Sequence, residues 1–508
     1  MQIDPGLLND GIINLPVKQG HMQKILQLTF LFLVIPLIST AQSIDSVTLT
    51  EIGRYQHGYV SFPDSFSAPT LSSRIDRLGR PYIFMACSDS GLMVLDISDP
   101  GSPLVVDRKY PNVFGGLKVM NLEQYDDLLY LALGDFNGTG QSPGLAILDV
   151  TDPSEPLILD TYAHAPFTHG SAIVKVHEGY AYLGAMEEGI VVLDINDLEN
   201  IAFHSSFLPP DPTWPNIANY PANARGMTIS GDILYLAFDA GALRAINISD
   251  PGALTEVGRH LNPSHPILTN PAYNNVLVLN DRLYATIDYC GMEIVDISDP
   301  ENMTQVNWLN PWNCSGFNWF GSDGHDNELI IALGDSLLFV SGADSEIMVY
   351  DITDPDEPVL KGGHILPNDS ASTWGVDLFG DLVVGSFINN HGLPLQPYDS
   401  KYGGVVLFNW EADISTGLRE DPISNELLTV FPNPTDGIFT IRMPQGHYGN
   451  RDLVITDITG RPVHRAPIGN DGLGNKVTVD LSGHDVGLYM VVCTLGDQRI
   501  VQRLVLEH

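Results

Sequence analysis

The chain contains 508 residues, with 62 Asp or Glu against 24 Lys or Arg, so its formal net charge is −38. Such a chain repels phosphate backbones, which excludes nucleic acid as an expected partner and leaves cations, basic surfaces, neutral glycans or mere solubility as uses of the charge. Only 17% of the residues are charged, and 48 glycines and 35 prolines indicate strands and turns rather than helices or disorder.

The N-terminal segment predicts export. Residues 22–41 read as a signal peptide, with one positive charge, a short apolar run at Leu28–Ile38 and small residues that suit cleavage. A signal belongs at a chain start, so residues 1–21 are interpreted as an extension that precedes the true start at Met22. The apolar run is short and Pro36 interrupts it, so we expect no membrane span after signal cleavage; an uncleaved anchor is the alternative.

One strand-and-turn pattern occurs seven times over residues 44–413. The first copy, Gly91–Pro103, reads GLMVLDISDPGSP, and the last two copies lie at 346–358 and 404–413. The copies follow one another at steps of roughly 50 residues, a period typical of propellers. The aspartate that ends the apolar run, or the asparagine in its place, falls at Asp96, Asp149, Asp194, Asn247, Asp296, Asp351 and Asn409.

Each copy predicts four strands. A short β-branched run suits a buried strand, Asp-Pro then starts a type I turn, and a second run follows, as in Leu157–Tyr162. Two further runs precede each copy, for example Ile173–Val176 and Tyr180–Leu183. Four strands make one blade, so the fold is predicted to be an all-β, seven-bladed β-propeller. Aspartates such as Asp96 and Asp99 are expected to cap these turns by accepting nearby backbone N–H groups rather than to bind calcium.

The two ends of the repeat region complement each other. Val47–Tyr55 looks like an outer strand without a blade, and the copy at 404–413 lacks its outer strand. We therefore expect 47–55 to pair with Val405–Asn409, which would close the ring and hide both edges. The first strands of the blades are expected to begin near Leu71, Leu117, Ser171, Gly226, Val276, Glu328 and Gly375.

These copies resemble the LVIVD repeat family, named for its V-x-D-I-[ST]-D-P-like strand. The resemblance covers about residues 47–413 and implies the propeller fold. It implies very little about activity, because propellers host many functions.

Long insertions gather on one predicted face. In a four-stranded blade, the loop between strands two and three shares a face with the connection to the next blade, and the insertions 134–143, 209–224, 311–326 and 388–403 all belong to these two classes. Long loops on a rigid scaffold usually carry function. Their aromatic rings suit sugar or peptide partners, although the same rings could simply pack the loops onto the blades. The rings belong to Trp214, Tyr220, Trp312, Trp319, Phe320 and Tyr398. The predicted ligand contacts on this rim are Trp312, Trp319, His391 and Tyr398.

A second candidate site is the mouth of the central channel. His169, Arg225, His325 and Trp374 lie near the starts of inner strands, where polar groups could converge on a ligand, and the two histidines with Asp323 could bind a metal. They come from distant blades, so a channel lined with hydrated polar groups is the alternative. The sequence has no HExxH, GxSxG or phosphate-binding loop, so a non-enzymatic binding protein is favoured over an enzyme.

No cofactor is expected, with calcium as the one exception to consider. Asp135, Asn137 and Thr139 place hard oxygens at alternate positions, which could hold Ca²⁺. The later acidic ligand of an EF-hand is missing, so an ordinary Gly-rich loop is the alternative.

Two of the four cysteines are predicted to pair. Cys290 lies between strands two and three of the fifth blade, and Cys314 lies in the loop that leaves this blade, so both belong to one face. A bridge there would fasten the 311–326 insertion and stabilise the fold by about 3 kcal/mol from loop closure. Cys87 and Cys493 lie in different units and are expected to stay unpaired.

The C-terminal region forms a separate predicted unit. Residues 414–427 read as a linker, and alternating strands over 428–508 predict a small Ig-like β-sandwich. This unit looks like the type A C-terminal sorting domain of the type IX secretion system of Bacteroidota. The matching residues are Pro432, Asn433, Pro434, Gly437, Asp457, Gly460, Gly487 and Tyr489. The resemblance implies contact with the type IX secretion machinery, export across the outer membrane, and removal of the tail by a sortase.

These features predict an exported or cell-surface binding or adhesion module that recognises a glycan or protein ligand on its long-loop face. It would pass through the periplasm to a secreted or outer-membrane-surface location. The alternative is a secreted hydrolase or lyase with its site at the channel mouth, and convergence of His169, Arg225 and His325 would distinguish the two.

Overall fold

The computed structural model is built from strands. It describes residues 43–56, 70–135, 140–215, 221–265, 271–288, 290–310, 314, 330–334, 336–342, 346–365, 372–388, 403–415, 429–442, 451–457, 461–467, 476–484, 486–495 and 498–506. Across these ranges the helical segments are two short 3₁₀ turns, Pro111–Phe114 and Pro300–Asn302, and no α-helix occurs.

The first strand, β1, is Ser43–Gln56, and five four-stranded antiparallel sheets follow it along the chain. Within each sheet the strands hydrogen-bond in chain order, so the first and fourth strands form its two edges. Sheet 1 contains β2 (Ser72–Ile75), β3 (Tyr82–Ala86), β4 (Leu92–Asp96) and β5 (Leu104–Lys109); sheet 2 contains β6 (Val119–Tyr125), β7 (Leu128–Leu133), β8 (Gly144–Asp149) and β9 (Leu157–Ala163); sheet 3 contains β10 (Val174–His177), β11 (Tyr180–Gly184), β12 (Ile190–Asp194) and β13 (Ala202–Phe207); sheet 4 contains β14 (Gly226–Ser230), β15 (Ile233–Ala237), β16 (Leu243–Asn247) and β17 (Thr255–His260); sheet 5 contains β18 (Tyr273–Leu279), β19 (Arg282–Ile287), β20 (Gly291–Asp296) and β21 (Thr304–Leu309).

An eight-stranded sheet follows. Its strands are β22 (Ile330–Leu333), β23 (Leu337–Gly342), β24 (Glu346–Asp351), β25 (Val359–Ile365), β26 (Ser372–Phe379), β27 (Leu382–Ile388) and β28 (Gly404–Ser415), joined by β1. Their order is β22-β23-β24-β25-β1-β28-β27-β26, so β1 lies between two groups that each run in chain order towards it. The first strands of all these groups begin within three residues of the expected positions.

The expected pairing of the N-terminal strand is confirmed. β1 runs antiparallel to β28, with Tyr55 opposite Val405 and Thr50 opposite Asn409. The strand is longer than expected, because the ladder continues to Ser43 opposite Ser415. β1 also pairs in parallel with β25 at Val47 and Thr48. The last strand edge of the repeat region is therefore covered by the first strand of the chain.

The apolar core lies between neighbouring sheets. The middle strands β3 and β4 are buried along most of their length, whereas the outer strand β5 is largely exposed. Phe84 and Leu92 of sheet 1 pack in one cluster with Leu122 and Leu131 of sheet 2. Because each buried Leu or Ile contributes roughly 1.5–3 kcal/mol, the second and third strands hold neighbouring sheets together.

The turns between strands three and four are capped by their own side chains, as expected. Asp96 Oδ1 accepts the N–H of Ser98 at 2.7 Å, and Asp99 Oδ1 accepts that of Gly101 at 3.2 Å. Asn247 replaces the aspartate in sheet 4 and accepts the N–H of Ser249. The same bonds occur at Asp149, Asp152, Asp194, Asp197, Asp250, Asp296, Asp299, Asp351 and Asp354.

These turns share a side of the sheets with the turns between strands one and two. The Ile97 N–H donates to Pro81 O at 2.8 Å, and the equivalent bond joins Ile195 to Gly179 at 2.9 Å. The same bond recurs at Val150–Asp127, Ile248–Asp232, Ile297–Asp281 and Ile352–Ser336. We call the side formed by both sets of turns the turn face.

A β-bulge in each outer strand joins neighbouring sheets. The bulge in β1 lies at Gly53, where a Cβ would be 1.7 Å from Pro100 O in the turn of sheet 1. Gly258 meets Pro300 in the same way. In sheet 3 the bulge lies between Phe203 and Ser205, and the Ser205 hydroxyl donates to Pro251 O. The outer strand of one sheet is therefore seated directly on the turn of the next.

The first strands of the sheets contact one another in chain order, and β26 contacts β2. A buried ion-pair network spans this last contact. Asp377, which is fully buried on β26, lies 2.5 Å from Arg77 and accepts the backbone N–H of Ile75 at 2.8 Å. Asp76, also fully buried, binds Arg80 at 2.6 Å. The two ends of the repeat region are thus joined by charged side chains as well as by β1.

The C-terminal strands form two further sheets. The strands are β29 (Thr429–Phe431), β30 (Ile438–Arg442), β31 (Arg451–Asp457), β32 (Pro462–Pro467), β33 (Lys476–Asp480), β34 (Gly487–Leu495) and β35 (Gln498–Leu506). Their orders are β29-β30-β33 and β32-β31-β34-β35. Phe439 and Val479 of the first sheet share one apolar cluster with Leu453, Val491 and Leu504 of the second.

We find no helix, in the ranges that the structure describes, with the length and apolar character needed to cross a bilayer.

Candidate functional site

The face opposite the turns is formed by two kinds of segment, and we call it the loop face. One kind links the second and third strands of a sheet, and the other links one sheet to the next. Ser88 pairs with Val119 and Met186 with Ala224, so these two hairpins touch the segment that begins the next sheet. This is the arrangement expected from the strand order of a blade.

The centre of the loop face is apolar. Leu71, Met120, Met186 and Ile388 form one buried cluster, with Trp374 packed against it. These residues come from four different sheet groups and lie where first strands begin or second strands end. Trp374, expected at a polar channel mouth, is half-buried and packs against this apolar cluster, so its contact with a ligand stays a prediction. No local sequence pattern predicts this cluster, because its members are separated by up to about 300 residues.

Acidic residues follow the second strands around this centre. They are Asp89, Asp135, Glu187, Glu188, Asp239 and Asp288. Lys118 lies 2.9 Å from Asp89 and 2.7 Å from Asp135, so it joins two neighbouring hairpins. Burial by itself would lower the pKa of the Lys118 ammonium, but the two carboxylates outweigh it and raise that pKa above its ordinary value. Lys118 is therefore charged throughout the physiological range.

At the predicted calcium site, the Lys118 ammonium competes with Ca²⁺ for Asp135. Asp135 Oδ2, one of the oxygens proposed for Ca²⁺, accepts a hydrogen bond from Lys118 Nζ at 2.7 Å. Asn137 and Thr139 lie outside the described residues. A bound Ca²⁺ would have to share Asp135 with the ammonium, so calcium at this loop stays a prediction.

His169 lies beside two carboxylates of its own sheet. Its ring nitrogens are 4.0 Å from Glu187 and 3.9 Å from Glu188. Glu188 also accepts the backbone N–H groups of Thr168 and His169, which fixes the connection between sheets 2 and 3. Arg225 is half-buried at the next connection, and its N–H donates to Ala237 O. His325 is outside the described residues, so the proposed convergence with it stays a prediction.

The four predicted rim contacts also lie outside the described residues; they are Trp312, Trp319, His391 and Tyr398. Of the aromatic residues in the insertions, Trp214 is described. Trp214 is flanked by the guanidinium groups of Arg244 and Arg259, each 5.1 Å from a ring centroid. This half-buried ring packs against the core cluster that includes Tyr235 and Leu243 of sheet 4, as the packing alternative expects.

Arg244 is a fully buried anchor that the sequence analysis did not single out. It binds Glu256 at 2.8 Å and donates to the carbonyl oxygens of Gly241 and Trp214. Burial lowers the pKa of this guanidinium, and Glu256 opposes the shift. A charge within an otherwise apolar third strand, three residues before Asn247, was the available signal, because such a charge must find a partner.

The same repeat position in sheet 5 holds a second buried charge, Glu293. Glu293 accepts from Tyr273 OH at 2.5 Å and lies 2.8 Å from His260 Nε2. Burial first, and then the Glu293 carboxylate, raise the pKa of Tyr273 well above its ordinary value, so its hydroxyl stays a donor. Close by, the structure contains a disulfide bond between Cys290 and Cys314, with 4.4 Å between their Cα atoms. Among the described residues Cys87 and Cys493 are buried and take no part in a disulfide bond.

The residues of the predicted sorting motif hold the C-terminal strands together. Asn433 accepts the N–H of Val505 and donates to Arg503 O, both at 2.8 Å, which ties the Pro432–Pro434 segment to β35. Gly437 has a φ of 130° and accepts the Leu481 N–H. Asp457 pairs with Tyr489, which is buried, and Gly487 begins β34. Gly460 lies outside the described residues.

Two regions of the chain match known protein families. Residues 429–507 match the secretion system C-terminal sorting domain. The LVIVD repeat matches five times, at residues 81–108, 132–164, 170–208, 221–261 and 274–309. The copies at 346–358 and 404–413, which belong to the eight-stranded sheet, lie outside these matches. A comparison with curated proteins found no match.

Solved structures show the same fold at low identity. The WD40 repeats of RRP9 are 10% identical, with coverage of 73% of this chain and 100% of that chain and a TM-score of 0.50. Chaetomium thermophilum Raptor is 11% identical, with coverage of 73% and 30% and the same TM-score of 0.50. WD40 repeats build β-propellers, so the repeat region has a propeller fold.

The matched tail carries information about location. A secretion system sorting domain implies recognition by the secretion machinery, export, and a secreted or outer-membrane-surface location. The chain thus contains five matches to the LVIVD repeat within a propeller fold, followed by a match to the secretion system C-terminal sorting domain.

Proposed function

We propose that this protein is an exported binding module whose loop face recognises a glycan or a protein ligand. The observation that carries the proposal is the packed apolar centre of that face, formed by Leu71, Met120, Met186 and Ile388. A packed centre directs a ligand to the surrounding loops rather than into the channel. This favours recognition at the rim over a hydrolase or lyase that acts in the channel mouth.

The charges of the described loops narrow the ligand chemistry. Asp89, Asp135, Glu187 and Glu188 lie on three neighbouring hairpins, and Lys118 offsets only part of their charge. Such a rim repels anionic glycans and suits neutral sugars or a protein surface with Lys or Arg. The rings of Trp312, Trp319 and Tyr398, together with His391, would supply flat contacts for either class.

An array experiment tests this proposal. The purified chain is applied to immobilised glycans and peptides, and retained ligands are measured at two salt concentrations. Binding to a neutral glycan or a basic peptide supports the proposal. Turnover of an arrayed glycan or ester, abolished by His169→Ala, would support the enzyme alternative instead.

We also infer that the repeat region has seven blades and that the tail is an Ig-like sandwich. Five blades are the four-stranded sheets, and the eight-stranded sheet would supply two more, β22–β25 and β26–β28 with β1. The inference is supported by the contacts of first strands in chain order and by the return contact of β26 with β2. For the tail, the support is one apolar cluster shared by two sheets. A truncation after Ser415 should keep the melting temperature of the propeller.

The export route is part of the same proposal. Residues 22–41 would act as a signal peptide, and residues 428–508 would direct the protein from the periplasm to the outer-membrane surface of a Bacteroidota-type cell. A stop codon after Thr416 should then leave a folded propeller in the periplasm. Normal surface display of this truncation would contradict the role of the tail.

A further inference from the structure

Three potential metal ligands meet in the core of sheet 5. Cys290 lies in the hairpin between β19 and β20, Cys314 follows β21, and His265 follows β17. All three residues are buried, and the two Sγ atoms and one imidazole nitrogen lie within 4.8 Å of one another. Two sulfurs and an imidazole are the donor set that Zn²⁺ prefers in proteins.

A buried polar network holds the turn that carries His265. Asn262 Oδ1 accepts the N–H of Ser264 at 2.8 Å, and the His265 N–H donates to Asn262 O. The Asn262 N–H in turn donates to Tyr273 OH, which donates to Glu293. The imidazole is therefore presented by a fixed backbone rather than by a free loop.

The two cysteines are also positioned by specific donors. Trp308 Nε1 donates to the carbonyl oxygen of Cys290 at 2.7 Å. Asn310 Nδ2 donates to Cys314 Sγ at 3.2 Å, and Asn310 Oδ1 accepts the Cys314 N–H at 3.3 Å. An N–H group that points at a sulfur stabilises negative charge there, as the outer partners of metal-bound thiolates do.

We propose that, after reduction of the disulfide, Cys290, Cys314 and His265 bind one Zn²⁺ ion. His265 Nε2 is 3.7 Å from Cys290 Sγ. Zn–S bonds of ~2.3 Å and Zn–N bonds of ~2.05 Å at a tetrahedral angle place such a pair ~3.6 Å apart, so this pair needs little movement. The sulfurs must separate from bonding distance to about 3.8 Å, and solvent fills the fourth position.

The chemistry balances with a dithiol as reductant. The protein disulfide accepts two electrons and two protons from the dithiol, which becomes a cyclic disulfide, and two protein thiols result. Zn²⁺ then replaces the two thiol protons, which are released to solvent, and the neutral imidazole completes the protein ligands. Either the disulfide or the ion would fasten the 311–326 insertion, which carries Trp312 and Trp319, to sheet 5.

A competition titration tests this site on the full chain. The protein is reduced with excess dithiol, freed of reductant and metal, and titrated with Zn²⁺ against a coloured chelator. We expect one tight equivalent in the reduced protein and at least about tenfold weaker binding in the oxidised protein, since a disulfide lacks the thiolate ligands. His265→Ala should weaken binding by at least about tenfold, as expected for loss of one of three protein ligands. Co²⁺ should give thiolate-to-metal absorption in the reduced wild type.

The control is the double variant C87S/C493S, which removes the other two cysteines and keeps the site. It should bind Zn²⁺ as the reduced wild type does. The idea is overturned if the reduced wild type binds no more tightly than C290S/C314S, or if the control loses the tight equivalent. Should C290S/C314S fail to fold, an unchanged affinity of His265→Ala would by itself overturn the three-ligand site.

Discussion

The turn face and the loop face of the propeller are built in different ways. On the turn face, the same two bonds recur from sheet to sheet: a side chain accepts an N–H two residues ahead, and one turn donates to the other. On the loop face, the contacts differ from sheet to sheet, such as those of Lys118 with two carboxylates and of Arg244 with Trp214. Repetition on one side and variety on the other indicate that the turn face maintains the fold, and they support the proposal that the loop face carries recognition.

The eight-stranded sheet extends this comparison to the closure of the ring. Five sheets are complete in themselves, whereas the last group needs β1 from the other end of the chain. If closure and the turn face maintain the fold, damage there should reduce stability and leave ligand specificity alone. The following predictions test this division, and their expected effects decrease in size.

Removal of β1 should have the largest effect. Deleting residues 44–56 uncovers the edges of β28 and β25, which then offer unpaired N–H and C=O groups to other chains. We expect unfolding or association, measured by calorimetry and light scattering. A chain truncated after Ser415 is the control, because it keeps both strands of the closing pair. A deletion variant that melts as a monomer at the control temperature would break the account of closure.

Loss of the buried Asp377 carboxylate, which joins β26 to the turn after β2, should have the second-largest effect on stability. Asp377→Ala leaves Arg77 without its partner and Ile75 without its acceptor, so the free energy of unfolding should fall by about 3 kcal/mol. Denaturant titration measures this. The exposed Asp381, on the turn after β26, gives the matched control, and Asp381→Ala should change stability little. Equal effects of the two substitutions would show that the network does not maintain closure.

Adding a side chain at a close backbone contact between neighbouring sheets should have the third-largest effect on stability. A Cβ at Gly53 would lie 1.7 Å from Pro100 O, whereas a Cβ at Gly483 meets nothing within 4 Å. Gly53→Ala should therefore cost about 1–3 kcal/mol of unfolding free energy through overpacking, and Gly483→Ala should cost much less. Thermal unfolding of the two variants compares them. If Gly53→Ala is tolerated as well as Gly483→Ala, the outer strand is not seated on the turn as described.

A single turn cap should have the smallest effect on stability. Hydrogen bonds from Thr151 hold the pKa of Asp149 below its ordinary value. A lowered pKa in the folded state means that the stabilisation is present above the unfolded-state pKa of about 4 and is lost as the pH falls through the folded-state value. Asp149→Ala should cost about 1 kcal/mol near neutral pH, the net value of one such bond.

Asn247 provides the comparison within the molecule, because it caps the turn of sheet 4 without titrating. Asp149→Asn should keep most of the stability at neutral pH and lose less of it on acidification than the wild type does. Unfolding followed between pH 7 and pH 3 measures both effects. Identical acid profiles for the wild type and Asp149→Asn would contradict a titrating cap at this turn.

The difference between the two faces also explains which features could be predicted from the sequence. Turn caps, strand starts and the pairing of β1 follow from signals within a few residues, such as the Asp-x-Ser spacing or the outer strand missing after Asn409. The contacts of Lys118 with two carboxylates, of Arg244 with Trp214 and of the cluster around Met120 join different segments of the chain, at least 17 residues apart. No spacing rule identifies such partners. The position of the loop face could therefore be predicted from its insertions, but its side-chain contacts could not.

Paired variants on the two faces test the central claim most directly. With a ligand from the array, affinity and melting temperature are measured for Trp319→Ala, at a residue proposed for the loop face, and for Asp149→Ala on the turn face. The account predicts that Trp319→Ala weakens binding by at least about tenfold, the loss expected for an aromatic anchor, with a nearly unchanged melting temperature. Asp149→Ala should lower the melting temperature and keep the affinity. A sharp fall in the melting temperature of Trp319→Ala with unchanged affinity would contradict the account, because the ring would then be packing material.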